Sequence, residues 1–293
     1  MNLLPYIIRG LATGGQYALV AIGYTMVYGI LKLINFAHGD LFMVSGIMLI
    51  YICASFPAMP IGVAIIIMII LTVLIGFLIE KCAYTPLRSA PRMSVMISAI
   101  GVSYLLQNLV SYITGGLSKQ YPAIPLIGES VKFLGVKDKL AVFISLPVAI
   151  VLTVVLVLII NHTKFGMSMR AVSKDFETSQ LMGIKINRVI SITFIIGSFL
   201  AAAGALLYFT KNTGINHMAG STPGIKAFIA AVVGGIGSIP GAVVGALLIA
   251  VIESIAKGLG LADFSDVISF ALLIIILVVK PTGIFGEKTT EKV

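Results

Sequence analysis

The sequence predicts an all-α integral membrane protein, a polytopic helical bundle of about eight spans with two broken or re-entrant regions. Three observations carry that prediction. Of 293 residues, 59% are hydrophobic and only 11% are charged, against roughly 25% charged in a soluble domain. So few charges cannot cover a soluble body of this size, and a disordered chain has the opposite composition. The mean hydropathy is +1.11, and the apolar runs approach the roughly 20 residues that a helix needs to cross a bilayer core. Two glycine-bearing breaks interrupt those runs, a polar one at 35–40 and a Gly-Pro one at 234–241.

The first apolar run covers 6–31 and ends before Asn35-Phe-Ala-His38-Gly-Asp40. Its first positive charge, Arg9, follows several apolar residues, so it reads as a retained helix rather than a cleaved signal peptide. The second run is 41–56, turned by Pro57 and Pro60, and the third is 61–79, almost purely aliphatic. A basic loop with Lys81, Arg88 and Arg92 leads to a fourth run, 93–113. A longer polar stretch, 115–139, precedes the fifth run at 140–160. A polar segment, 161–188, precedes the sixth at 189–209. The seventh region, 225–255, is split by Gly234-Gly-Ile-Gly-Ser-Ile-Pro-Gly241, and the last run is 264–279. Residues 1–293 thus read as a single transmembrane domain, with 161–188 a loop within it.

Lysine and arginine in short loops set the orientation. The loop after the third run carries three positive charges, and 161–188 carries five: Lys164, Arg170, Lys174, Lys185 and Arg188. Both are expected to be cytoplasmic, which puts 115–139 and the chain start outside. The tail, with Lys280, Lys288 and Lys292, also reads as cytoplasmic. A chain that is outside at 211–224 and inside at its tail makes an odd number of crossings. The broken seventh region therefore leaves and returns to one face, its Gly-Pro segment being a tight cytoplasmic turn or a re-entrant break. Each break is followed by further helices in a similar order, which hints at an internal structural repeat.

The net charge of +9 does not indicate nucleic-acid binding, because the basic residues lie mostly between apolar runs. Cys53 and Cys82 fall toward opposite faces, which disfavours a disulfide, and they have no metal-ligand spacing. The glycines of 234–241 lack the Gly-Lys-Ser/Thr of a phosphate loop and the spacing of a dinucleotide fingerprint. Gly237-x-x-x-Gly241-x-x-x-Gly245 is a small-residue stripe. It suits close packing, against a related subunit or otherwise, or a broken helix lining a path. Gly10-x-x-x-Gly14 lets a neighbouring helix approach, and Gln16 and Tyr17 on the same run are candidates for lining a pathway.

Asn35, His38 and Asp40 form the most polar cluster next to the membrane. They suit a gate or substrate path, while Asp40 also suits a cap for a helix beginning at Leu41. One histidine and one aspartate do not make a metal site. Glu253 suits a pathway carboxylate or a partner of Lys257 at i+4, and Lys226 suits snorkelling to the interface. In 161–188, Asp175 reads as an N-cap, Glu177 suits a first turn and Gly183 reads as a stop. This predicts a short helix over 176–182 showing Phe176, Leu181 and Met182, too short to be stable alone. It lies on the membrane surface or docks to a cytoplasmic partner.

Several of these motifs together resemble the permeases of branched-chain amino acid ABC importers, the LivH type. They are Gly10-Leu-x-x-Gly14-x-x-Tyr17-Ala-Leu-x-Ala-x-Gly23, Asn35-Phe-Ala-His-Gly-Asp40, Arg170-Ala-Val, Gly183-Ile and Phe228-x-Ala-x-Val-x-Gly-Gly-Ile-Gly-Ser-Ile-Pro-Gly-Ala242. Their order and spacing match across nearly the whole chain. The resemblance implies a permease subunit in a bacterial inner membrane, pairing with a second related permease, two cytoplasmic ATPase subunits and a periplasmic substrate-binding protein. It implies no enzyme activity, cofactor or metal in this subunit, and alternating access driven by ATP hydrolysed elsewhere. It also implies coupling to the ATPase through Arg170, Asp175, Phe176, Glu177, Leu181 and Gly183. The path or gate candidates remain Gln16, Tyr17, Asn35, His38, Asp40, Gly237 and Gly241. Urea and short-chain amide permeases share much of the pattern. An independent secondary carrier or channel would instead need pathway carboxylates, for which Asp40 and Glu253 are the candidates.

Overall fold

The structure is a computed structural model and describes residues 3–286 except 89, 134 and 281. Eleven α-helices are described: α1 (Leu4–Leu31), α2 (His38–Ser55), α3 (Ile61–Ile79), α4 (Arg92–Thr114), α5 (Leu140–His162), α6 (Lys164–Lys174), α7 (Phe176–Leu181), α8 (Ile186–Lys211), α9 (Ser221–Gly234), α10 (Ile239–Gly258) and α11 (Ser265–Val279). A π-helical turn, Glu80–Tyr84, extends α3, and a 3₁₀ turn, Ala262–Phe264, leads into α11. Seven of these segments are long and apolar enough to cross a membrane: α2, α3 with its extension, α4, α5, α8, α10 and α11 with its lead-in. The remaining long helix, α1, has 28 residues, about 42 Å of helix.

Helix α1 stands at the centre. Its residues from Gly14 to Val27 are all buried, as expected of a helix enclosed by others rather than facing lipid. Small residues make this possible. A Cβ on Gly10 would lie 2.7 Å from the Val251 Cα, and one on Gly14 would lie 2.9 Å from the Leu247 Cα, so α1 and α10 touch backbone to backbone. On another side, Gly15 admits the backbone of Leu146, and the Ser145 hydroxyl donates to the Ala12 carbonyl at 2.6 Å. Helix α8 is also largely buried. The outer helices α3, α4, α5 and α11 instead expose large apolar side chains such as Ile66, Leu105, Val151 and Ile274. That surface is suited to acyl chains.

The connections sort onto two faces. On one face Arg9 and Lys211 both lie 3.5 Å from Asp138. Two short antiparallel ribbons also lie there: β1 (Lys119–Gln120) with β4 (Gly214–Ile215), and the hairpin β2 (Ser130–Phe133) with β3 (Val136–Lys139). The polar stretch 115–139 thus carries three of these four strands. On the opposite face, Glu80 at the end of α3 meets Arg88 and Ser191, and Arg88 also meets Asn187. The chain beginning and 115–139 therefore share a face, away from 161–188.

Both predicted breaks are present, with shifted boundaries. Helix α2 begins at His38, not at Leu41. The His38 ring fills the space a side chain on Gly23 would need, and Gly23 lies eight residues, about 12 Å of helix, before the end of α1. Residues 32–37 thus dip back into the bundle. The 14-residue α9 is too short to cross alone. It ends at Gly235, with φ at 107°, in a tight turn into α10. Backbone bonds from Ile284 and Phe285 to the carbonyls of Val233 and Gly234 hold that turn to the chain tail. The Gly-Pro segment is thus the turn, on the face of 161–188. The irregular backbone lies instead at 216–220, just before α9.

Candidate functional site: a junction of two interrupted helices

The first turns of α2 and α9 meet inside the bundle. A Cβ on Gly39 would fall 2.9 Å from the Gly220 carbonyl oxygen and 3.0 Å from the Gly224 Cα. Only glycines allow this approach. Two helix N-termini, each carrying partial positive charge, therefore sit side by side in an apolar interior, although the Ser221 and Gly224 amides of α9 already bond to the Met218 and Gly220 carbonyls and Pro223 has none. Beside them opens a cavity of about 170 Å³. Its polar wall is Asp40 from α2 with Ser103 and Gln107 from α4; its apolar wall includes Ile34, Phe36, Ile225 and Phe228.

Asp40 is not the cap of α2. It is the third residue of the helix, with the carboxylate buried and turned outward to α4. The Gln107 amide donates to Oδ1 at 2.9 Å and the Ser103 hydroxyl to Oδ2 at 2.5 Å. His38 packs edge-on to Tyr24, ring centroids 4.9 Å apart. Asn35 is buried and accepts from the Tyr84 hydroxyl at 2.8 Å, tying the re-entrant segment to the end of α3. Of the predicted path residues, Asp40 alone lines the cavity; His38 and Asn35 brace its surroundings.

Gln16 and Tyr17 lie elsewhere. Gln16 donates to the Leu207 carbonyl of α8 at 3.4 Å. Tyr17 reaches Glu253 of α10 at 3.5 Å. Glu253 belongs to a buried ion network: Lys226 at 2.8 Å and Lys257 at 2.5 Å, with Asp266 on the other side of Lys226 at 2.7 Å. Lys226 is 5% exposed, so it does not snorkel to an interface. It links α9, α10 and α11 because the buried Glu253 and the half-exposed Asp266 both lie close enough to neutralise it.

The glycines of the stripe separate by role. A Cβ on Gly241 would clash with the Gly234 carbonyl, and one on Gly245 with the Ala230 carbonyl. This part of the stripe packs α10 against α9 within the chain. Gly237 takes φ 98° in the turn, with open space around its Cβ position.

In 161–188 the structure holds α7 close to the predicted bounds. The Asp175 carboxylate accepts from Glu177 N at 2.9 Å, Thr178 N at 3.3 Å and the Thr178 hydroxyl at 2.5 Å. The Thr178 hydroxyl, then the amide hydrogens, hold its pKa below the usual carboxylate range. Gly183 takes φ 79° as the helix ends. Leu181 is 88% exposed and Met182 79%, with Phe176 partly exposed. A second helix, α6, precedes it and was not legible as such. The Thr163 hydroxyl accepts from Gly166 N at 3.1 Å, and the Arg170 guanidinium donates to the Ile160 carbonyl at the end of α5.

Sequence reasoning missed Ser103, Gln107 and Ser221. A glutamine inside a membrane-length run is itself a signal; the other two are too common in such helices to stand out.

Comparison with known proteins matches this architecture. Residues 6–277 fit the family model described as branched-chain amino acid transport system / permease component. The LivH permease protein of the high-affinity branched-chain amino acid transport system of Salmonella typhimurium is 38% identical over 304 aligned positions, covering 100% of this chain and 98% of that protein. The BraD permease protein of Pseudomonas aeruginosa is 40% identical over the same coverage. An inward-facing putative metal-chelate type ABC transporter shares the fold, with a TM-score of 0.50 and 17% identity, covering 94% of this chain and 87% of that one. The chain is thus a multi-pass membrane protein belonging to the family of permease components of branched-chain amino acid transport systems.

Proposed function

We propose that this chain is the permease subunit of a bacterial inner-membrane ABC importer that carries leucine, isoleucine and valine. It would pair with a second, related permease, receive substrate from a periplasmic binding protein and be driven by two cytoplasmic ATPase subunits. End-to-end similarity to LivH and BraD supports the substrate class. The structural observation that carries the coupling role is α7. It is a capped helix of six residues whose end, Leu181 with the following Met182, is almost bare to solvent. So short a helix is marginal alone, and its exposed apolar tip suits a groove on an ATPase. The sequence holds no phosphate loop of its own, so hydrolysis is assigned to the partner. ATP-driven closure would press on α6–α7 and, through α5 and α8, rotate the bundle around the junction of α2 and α9.

Purification from native membranes in mild detergent tests this reading. A co-purifying ATPase and second permease, together with ATP-dependent leucine uptake after reconstitution, is the expected result. A chain that comes out alone and transports without ATP would overturn it and make the protein a carrier or channel.

A further inference from the structure

Among the described residues, three carboxylates are buried in the spanning helices and their extensions, and two of them have cations. Glu80 faces Arg88 and Lys81, and Glu253 faces Lys226 and Lys257. Asp40, 3% exposed, forms no ion pair among the described residues. Its partners are two neutral donors, Gln107 and Ser103. The start of α2 offers at most about half a positive charge. A carboxylate in such surroundings normally pairs with a cation or marks a ligand pathway. Asp40 also lines a cavity of about 170 Å³, more than ten times the ~15 Å³ that admits one water.

The start of α9 supplies a further polar part of the lining. Ser221, its first residue, lines the cavity, and the helix dipole presents its positive end there. Ile34, Phe36, Ile225 and Phe228 supply an apolar wall. The cavity thus combines an acceptor without a cation, a positive helix end and an apolar surface.

The geometry points to this cavity as a binding site for an α-amino acid zwitterion. Asp40 takes the ammonium group, the Ser221 hydroxyl at the positive end of α9 takes the carboxylate, and Ile225 and Phe228 take an aliphatic side chain. The identity of the ligand rests on the permease reading above; the pairing of a small organic ammonium with Asp40 does not. The site gives the path a recognition step of its own, with two interrupted helices supplying the charges.

The test uses the intact reconstituted transporter and a leucine analogue bearing a photoactivatable diazirine on its side chain. Labelled positions are mapped by mass spectrometry, and leucine uptake is measured on the same samples. The expected result is labelling at Ile225, Phe228, Ile34 or Phe36. Leucine and 3-methylbutylamine should compete for it, and 4-methylpentanoate, which lacks the ammonium, should not. Asp40→Asn should cut labelling about tenfold or more, the worth of one charged hydrogen bond. Ile225→Trp, which fills the cavity from its apolar wall and leaves Asp40 intact, should do the same and guards against a folding defect in the first variant. Labelling confined to other helices, or undiminished in both variants, would overturn the site. Absence of leucine uptake by the wild type would overturn the permease reading instead, and amine-competed labelling would still decide the role of Asp40.

Discussion

Lys226 on α9 and Glu253 on α10 form a buried ion pair, with the ammonium nitrogen 2.8 Å from Oε1, and the same ammonium lies 2.7 Å from Asp266 at the start of α11. One side chain therefore fastens all three elements of the chain's second half that surround the break. It is held from both sides, which compensates a charge that would otherwise be expensive in an apolar bundle. Removing it leaves two carboxylates near each other with Lys257 as their remaining cation. Lys226→Met is expected to cost about 3 kcal/mol, seen as a lower melting midpoint in detergent. Adding Glu253→Gln should recover part of the loss, because the two sites are coupled. A single variant that melts with the wild type would show that the network contributes nothing.

The contact between α1 and α10 makes a second expectation. Gly10 and Gly14 place the two backbones so close that any Cβ overlaps Val251 or Leu247. Gly10→Val must push the helices apart, an overpacking cost of about 1–3 kcal/mol. Gly62, with nothing within 4 Å of its Cβ position, is the control: Gly62→Ala should leave folding unchanged. Size-exclusion profiles and melting midpoints of the two variants in one detergent decide the matter. Equal behaviour would remove the claim that backbone contact organises the centre of the bundle.

The membrane helices were legible because length and hydropathy are properties of the local sequence. Asp175 and Gly183 announced α7 for the same reason: a cap and a stop act over a few residues. The junction was legible only in part. His38 and Asp40 stood out as polar residues beside a glycine, but the partners of Asp40 lie 63 and 67 positions away on α4, and no spacing rule reaches that far. The start of α9 was missed because its first turn, Ser-Thr-Pro-Gly, reads as loop. It becomes helix only where Gly220 and Gly224 seat it against Gly39. Lys226 reads from sequence as snorkelling because a lone lysine near the start of an apolar run usually does. Only the folded chain brings Glu253 and Asp266 to it.

The Asp175 cap predicts a pH response in the 161–188 segment. Its carboxyl sits below the usual range, chiefly through the Thr178 hydroxyl and then the amide hydrogens of Thr178 and Glu177. A depressed folded-state pKa contributes stability that is fully present above the unfolded value of about 3.9 and is lost as pH falls through the folded value. Proteolytic cleavage between Lys174 and Lys185 should therefore be flat from pH 7 to about pH 5 and rise only at more acid pH. An acid-active protease such as pepsin suits the lower end. Asp175→Ala should be cleaved readily throughout, without the acid-side rise. A rise centred near neutrality would assign the loop's order to some other group.

The two faces give the most direct check on the topology. Arg9, Asp138 and Lys211 meet on one face, while Glu80, Arg88 and Asn187 meet on the other. The positive charges of 161–188 lead us to expect the second face to be cytoplasmic. A background of Cys53→Ser and Cys82→Ser removes the native thiols, and single cysteines then report each face. Lys137→Cys and Asn216→Cys are expected to react in whole cells with a membrane-impermeant maleimide once the outer membrane is permeable to it. Gln180→Cys and Lys185→Cys should react only after the inner membrane is opened. The start of α1 is the informative position, since the first loop charges say little about it. Its pairing through Arg9 with Asp138 requires Leu3→Cys to label with Lys137→Cys. Labelling of Leu3→Cys together with Gln180→Cys would separate residues that the structure joins, and the arrangement of α1 against α10 would have to be abandoned with it.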